Sequence, residues 1–445
     1  MAEENNQQQV LVVGAGPAGL FASRKLAEEG AQVVLLNRDI KPGGLAEYGI
    51  YYEKYKIKEG LRNQFRQIMA MPEITYIGNV TVGNDGDITL DELRTFGFDA
   101  ILVTVGAQGT KWLELPGEEL TGVYHAKDIV YHYNKLPPFS TRDFKVRGRV
   151  AMVGVGNVMM DIAHWAIRDL KVDEVIAVAR RGPAEVKFTE KEMEHIIGNL
   201  DVSALDTEVA RCTPSMQAVN QDAQAARKYI LSALPNGEKP VSATRLRFDF
   251  LASPTRIIGN DRGQVIGLEV EDNKLVPKGD DTKVVGLGVR RVLDVDTVVY
   301  CIGDKVDENF GLPIQGNEFV KNPHPIYPID GISYEAYDPE QDLPLEGVFV
   351  AGWSRQASSG LVGLARKDGE NGVKAMLEYL KKQAGTNTNN TPIKYLEKRL
   401  LKNKKPLIRK ENLVQLDLYE LSQMQELGLK DFKLNTNEEM LTVIN

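Results

Sequence analysis

The chain has 445 residues, 42% hydrophobic and 26% charged, a balance that suits two or three packed cores and excludes compositional disorder. A formal net charge of −8 argues against nucleic acid as a partner, because affinity for a phosphate backbone needs clustered positive charge. Two cysteines, Cys212 and Cys301, are too few to ligate an iron–sulfur cluster and form no CxxC relay, so any metal centre is expected on a partner.

The opening stretch MAEENNQQQ is acidic and has no apolar core, and no apolar run approaches the length of a membrane span. The expected setting is the cytoplasm, away from membranes. Val10 to Leu20, VLVVGAGPAGL, then reads as a short buried parallel strand running into a helix from Ala18 to Glu29. Three glycines sit at the corner. Gly14 allows a tight turn, Gly16 lets backbone approach a pyrophosphate at the helix N-terminus, and Gly19 lets helix and strand pack closely. A second strand, Gln32 to Leu36, completes a βαβ unit, which favours a dinucleotide over a plain strand-helix corner. The acid expected after that strand is absent. Asn37 stands there and keeps the ability to accept a ribose hydroxyl without the charge.

The loop RDIKPGGLAEYGIYYEKYKIK carries Gly43, Gly44 and Gly49 among aromatics, a composition suited to backbone lying against a large ligand. Helical character follows from Lys58 to Met71, then strands at Ile74 to Val82 and Ala100 to Val105, and LPGEE at 115–119 begins a crossing. A second organising unit spans Arg149 to Glu192: a strand (Val150 to Val153), the turn GVGN, a helix (Val158 to Leu170) and a strand (Glu174 to Ala179). Met159 replaces its third glycine. After its second strand stand Arg180 and Arg181, which suit a 2′-phosphate by charge-assisted hydrogen bonds.

From Ile196 to about Pro240 the chain reads as polar and helical, and from Thr244 to Gly303 as hairpin strands followed by one buried strand. Residues 346–380 give a strand, a Gly-Trp turn and a final helix, with backbone N–H groups near Gly360 to Val362 suited to negative charge on a reduced ring. A polar linker, 384–391, precedes a tail with a basic run (Lys398, Arg399, Lys402, Lys404, Lys405, Arg409, Lys410) and then Leu418, Leu421, Met424 and Leu427 at near-helical spacing.

The ordered set GAGPAG, PGGLAEYGI, GLRNQF, LPGEELTGVYHAKDIVYHYN, GVGNVMMDIAHW, RRGPAEVKFTEKE, VFVAGW and SSGLVG resembles the adrenodoxin reductase and bacterial ferredoxin-NADP reductase family, related to the small subunit of glutamate synthase. The similarity runs from about Val10 to Leu380. It implies an α/β fold of two Rossmann-like domains, with the NADP domain inserted into a discontinuous FAD domain. The expected division is 1–109 and 339–384 for FAD, 110–338 for NAD(P) and 385–445 for the tail.

By the resemblance FAD is held by Gly14, Ala15, Gly16 and Gly19, with Leu45 and Gly49 near the flavin and Gly352, Trp353, Gly360 and Val362 closing over it. NADP is held by Gly156, Asn157 and Val158, with Arg180 and Arg181 on the 2′-phosphate and Glu192 toward the nicotinamide. Where the family usually has Pro-Asp-His, this chain has Tyr52-Glu53-Lys54, which leaves Lys54 as the candidate for proton handling. The implied activity is electron transfer between NADPH and an iron–sulfur protein such as ferredoxin. Two alternatives are an electron-input subunit of a larger metalloenzyme and a non-catalytic nucleotide sensor or scaffold. The tail is a candidate surface for partner docking or oligomerisation.

Overall fold

The computed structural model describes residues 7–279, 281–356, 362–383 and 391–444. The chain divides into two compact units: unit 1 comprises 1–110, 131–141 and 303–445, and unit 2 comprises 111–130 and 142–302. The expected insertion ran from 110 to 338; the observed return to unit 1 comes at Gly303, and a short excursion, 131–141, also belongs there. The reason is local. Asp304–Lys305 pairs antiparallel with Gly109–Thr110, which draws the stretch after 302 back to the first segment.

In chain order the first segment supplies β1 (Gln9–Val13), α1 (Pro17–Glu28), β2 (Gln32–Leu36), α2 (Leu45–Tyr48), α3 (Tyr55–Met69), β3 (Ile74–Ile77), α4 (Leu90–Arg94) and β4 (Ala100–Val103). Unit 2 then brings β5 (Val123–His125), α5 (Ala126–Tyr133, which ends in unit 1), β6 (Arg149–Val153), α6 (Asn157–Trp165), β7 (Glu174–Val178), α7 (Glu190–Glu194), α8 (Val202–Gln217) and α9 (Ala223–Leu231). It closes with β8 (Arg245–Asp249), β9 (Ala252–Gly259), β10 (Val265–Lys278), β11 (Asp281–Leu293) and β12 (Thr297–Tyr300). The return supplies β13 (Glu335–Asp338), β14 (Leu343–Val350), α10 (Val362–Lys382), α11 (Thr391–Leu401), α12 (Lys410–Glu426) and α13 (Asn437–Ile444).

Unit 1 holds a six-stranded sheet in the order β13-β14-β4-β1-β2-β3, parallel except for the β13–β14 hairpin. Successive residues of β1 alternate between its two cores: Val10 and Val12 join Leu20, Phe21 and Leu26 of α1 on one face, while Leu11 and Val13 join Leu90 and Leu93 of α4 on the other. Both faces are covered, which is why β1 reads as an unbroken apolar run rather than an alternating one. Unit 2 holds a five-stranded parallel sheet, β5-β12-β6-β7-β8, and a separate antiparallel meander, β9-β10-β11.

The tail is part of unit 1. Leu413 and Leu416 of α12, Leu434, and Met440 of α13 belong to the same core as Val10 and Leu20, and Leu396 and Leu400 of α11 belong to the opposite one. Much of the basic run is engaged: Arg399 pairs with Glu92 at 2.8 Å, Lys405 with Asp87 at 2.8 Å and Arg409 with Glu397 at 2.8 Å. Among the described residues no helix is long and apolar enough to cross a membrane.

Candidate functional site

In unit 1 the chain leaves β1 through Gly14, whose φ of +107° belongs to glycine, and an added Cβ there would lie 2.7 Å from the Thr104 carbonyl oxygen. Gly16 is the N-cap of α1; it makes no side-chain cap, and a Cβ on it would meet nothing within 4 Å. Gly19 is different. Its Cβ would fall 1.8 Å from the Gly14 carbonyl, so its smallness serves helix-to-strand packing. The uncapped start of α1 leaves backbone N–H groups and the positive end of the helix dipole for an anion.

A cleft of about 1040 Å³ opens at this point. Of the expected residues it gathers Gly14, Ala15, Gly16, Asn37 and Leu45 at the turn and α2, together with Trp353 and Val362. Trp353 Nε1 is buried and has no hydrogen-bond partner among the described residues, a donor left for a ligand. Gly19, Gly49, Gly352 and Lys54 are not in its wall. Gly49 closes α2 by donating to Leu45 O at 2.8 Å, and Lys54 is the half-buried N-cap residue of α3. Gly352, at φ +71°, is fixed through its N–H to Asp368 Oδ2 at 2.6 Å. Gly360 lies outside the described residues.

Asn37 acts inward. Its Oδ1 accepts from Ala15 N–H at 3.1 Å, and its Nδ2 donates to the carbonyls of Asp39 (2.9 Å) and Lys41 (3.0 Å). The side chain therefore staples the glycine turn to the following loop. The carboxylate that sequence reasoning sought at this end of the cleft is two residues on: Asp39 lines it, paired with Arg38 at 3.0 Å, and Gln108 accepts from Arg38 at 3.1 Å. Asp368, which holds the Gly-Trp turn and pairs with Arg355 at 2.6 Å, was also missed. Its signal is a buried-facing acid in an otherwise apolar helix stripe.

Behind the cleft wall lies a buried ionic cluster. Glu47 of α2 meets Arg62 at 2.6 Å and Lys433 of the tail at 2.7 Å; burial alone would raise its pKa, but these two cations hold its carboxyl well below the usual range. Lys58, fully buried, donates to Asn134, and burial together with the neighbouring Lys433 pushes its amine down to about 6.

Unit 2 repeats the turn. Gly154 has φ +119°, and its Cβ would lie 2.3 Å from the Cys301 carbonyl; Gly156 is the uncapped N-cap of α6 with nothing within 4 Å. Val158, just inside the helix, is 48% exposed. Asn157 Oδ1 accepts from Thr189 N–H at 2.8 Å and Val155 O from Lys187 N–H at 2.9 Å, so the 180s loop is tied to the turn. Thr189 caps α7, whose third residue is the half-buried Glu192.

The two arginines differ. Arg181 is held by Glu185 and by Thr282 Oγ1 (2.5 Å) and O (3.1 Å), whereas the exposed Arg180 has no side-chain partner among the described residues. Neither thiol is activated: Cys212 is buried in α8 with its thiol pushed up to about 12, and Cys301, which follows β12 and backs the Gly154 turn, is a free thiol raised by burial.

Two mainly parallel sheets, each feeding a glycine turn and an uncapped helix, one inserted in the sequence of the other, are the build of the two-dinucleotide-domain flavoprotein oxidoreductases. Residues 8–215 match the family model described as pyridine nucleotide-disulphide oxidoreductase. The chain is 28% identical to NADPH:adrenodoxin oxidoreductase of Arabidopsis thaliana over 389 residues, 79% of this chain and 78% of that protein. It is 28% identical to NADPH-ferredoxin reductase FprA of Mycobacterium leprae over 417 residues, 85% of this chain and 84% of that one. Mycobacterium tuberculosis FprA in complex with NADPH has the same fold, with a TM-score of 0.80 at 24% identity over 98% of this chain and 99% of that chain. In sequence, the chain is similar to the NADPH:adrenodoxin and NADPH-ferredoxin reductases.

Proposed function

We propose that this chain is an FAD-dependent oxidoreductase that takes reducing equivalents from NADPH and passes them to an iron–sulfur protein. The observation that carries the reading is the repeated turn: two glycine loops of like backbone, each opening on an uncapped helix, the second followed by an arginine without a side-chain partner among the described residues. The names of the relatives, which carry adrenodoxin and ferredoxin, support the iron–sulfur acceptor.

FAD fits the unit 1 cleft, because Gly16 leaves room for close approach, α1 has no side-chain cap on its first N–H groups and Trp353 Nε1 is a buried donor with no acceptor among the described residues. When bound, the flavin takes up a hydride and releases electrons singly. The chain positions it. Gly14, Ala15 and Gly16 receive the pyrophosphate with Gly19 packed behind them, Asn37 holds the turn closed, and Asp39 supplies a carboxylate for ribose hydroxyls. Leu45, backed by Gly49, and Trp353 and Val362, set by Gly352, flank the rest of the cleft.

NADP fits the second turn by the same test of an open Gly156 and an uncapped α6. Gly156, Asn157 and Val158 hold its pyrophosphate and Arg180 its 2′-phosphate, with Arg181 bracing the loop through Glu185. Glu192 orients the nicotinamide carboxamide, on a helix anchored to the turn through Thr189. Lys54 stands outside the cleft wall and does not contact the space the flavin would fill. Unit 1 is thereby the FAD domain and unit 2 the NADP domain.

An anaerobic titration of the purified yellow protein tests this. Bleaching of the flavin band by NADPH at far lower concentration than by NADH is expected. A bound flavin that neither nucleotide reduces overturns the activity.

A further inference from the structure

The C-terminal tail carries buried charges that neither nucleotide site uses. Lys433, 6% exposed, donates to the Glu47 carboxylate at 2.7 Å and the Glu47 carbonyl at 2.9 Å, and its ammonium lies 4.9 Å over the Tyr48 ring. Glu420 of α12 pairs with Lys41, each side chain 9% exposed, and accepts from Leu434 N–H at 3.1 Å. Arg62 of α3 bridges Glu47 and Asp431 at 2.6 and 2.8 Å.

All of these grip one short piece of chain. Glu47 and Tyr48 end α2, whose first residues, Leu45 and Ala46, line the cleft with Gly44. A four-residue helix is far below the length that sustains itself, and this one has no side-chain N-cap and two positive-φ glycines, Gly43 and Gly44, ahead of it. Its position is set by what holds it. Those holds are the Gly43 N–H to Ala15 O bond at 2.7 Å, Arg62, and the tail.

We infer that the tail is a clasp for the cleft wall: Lys433 and Glu420 are positioning residues for flavin retention, acting through Glu47 and Lys41, although neither touches the cleft. This rests on the reading that the cleft takes FAD. It makes the C-terminal segment a determinant of cofactor affinity rather than a free docking arm.

The test uses full-length protein stripped of flavin, with FAD titrated by fluorescence quenching and release followed on dilution. The variants are Lys433→Met and Glu420→Gln, with Lys433→Arg as the conservative rescue. Leu396→Ala, in α11 and the opposite core, is the control for general destabilisation. Lys433→Met and Glu420→Gln are expected to raise the FAD dissociation constant tenfold or more and to speed release similarly. Lys433→Arg should recover part of the loss, and Leu396→Ala should lower the melting temperature while leaving the constant within twofold. Constants within twofold for both clasp variants, or an equal rise in Leu396→Ala, overturn the clasp. If wild-type apoprotein takes up no FAD, the flavin reading fails separately. Amide exchange at 43–49 then decides the clasp: faster exchange in Lys433→Met than in wild type supports it, and unchanged exchange overturns it.

Discussion

The two nucleotide turns share a backbone and differ in the residues that come after it. In both, the first glycine has positive φ and sits against a carbonyl of the neighbouring strand's exit, Thr104 in unit 1 and Cys301 in unit 2. In both, the second glycine faces open space at an uncapped helix start. The third position separates them: Gly19 has the Gly14 carbonyl where its Cβ would be, while Met159 is fully buried at the equivalent place on α6, so that helix leaves room for a side chain. The strand ends separate them further. Asn37 is spent on the protein's own backbone, and Arg180 is left to the solvent. On the proposed reading the backbone turn is a generic phosphate seat, and the side chains just beyond the second strand are what set the two sites apart.

The comparison breaks most visibly at the third position. Gly19→Met should abolish flavin retention, leaving colourless or insoluble protein, since the collision is with backbone; Met159→Gly should still bind NADPH and lose only core packing, about 2 kcal/mol by chemical denaturation. At the strand end, Arg180→Ala should raise the Michaelis constant for NADPH tenfold or more and change that for NADH less than twofold. Arg181→Ala should affect both nucleotides alike and cost about 1 kcal/mol of stability, because it strips Glu185 of its cation. Equal nucleotide discrimination in the two variants would undo the contrast drawn between them.

A smaller effect sharpens the reading of Asn37. Asn37→Asp removes the donors to Asp39 O and Lys41 O and sets a carboxylate against them, so about 2 kcal/mol of stability and several-fold in FAD affinity should be lost. Were Asn37 only a ribose contact, the charge would instead tighten FAD.

The mildest test separates the units by pH. Lys58 in unit 1 is held near 6 by burial and Lys433, below its unfolded value, so the unfolded state binds the extra proton and stability falls as pH drops from about 10 to about 6. His164 in unit 2 is held near 4 by burial and the stacked His195 ring, 5.2 Å away, so its cost develops as pH drops from about 6.5 to about 4. Lys58→Met should flatten the alkaline slope and His164→Phe the acidic one, each measured by calorimetry across the range.

Both βαβ units, their glycines and the insertion of one domain in the other were legible from the sequence, because apolar runs, Gly spacing and chain order are local signals. The insertion's end was not: residues 303–338 carry only short extended pieces, and their assignment depends on Asp304–Lys305 pairing with Gly109–Thr110 across nearly two hundred residues. The roles of Asn37 and Arg181 were hidden for different reasons. Asn37 bonds to a backbone N–H twenty-two residues earlier, whereas Glu185 stands four residues after Arg181 and was a readable clue. In the tail, Leu418, Leu421 and Leu427, noted for their near-helical spacing, are 47–63% exposed, and it is Leu413, Leu416 and Glu420 that face inward. A charged residue joined the buried stripe because Lys41 waits for it, and no periodicity in one segment reports a partner in another.

The order in which the chain leaves the ribosome gives the broken continuity of unit 1 a kinetic meaning. Unit 2 is nearly contiguous and is complete by Ile302, so it is free to collapse while synthesis continues. The sheet of unit 1 lacks β14, the neighbour of β4, until Val350 has emerged, and Lys433 emerges later still. The wall that Lys433 braces is therefore among the last pieces to set. Tight cofactor loading is expected only after Lys433 has emerged, and a nascent chain arrested between Ile302 and Lys433 should display a finished second unit and no tightly held flavin.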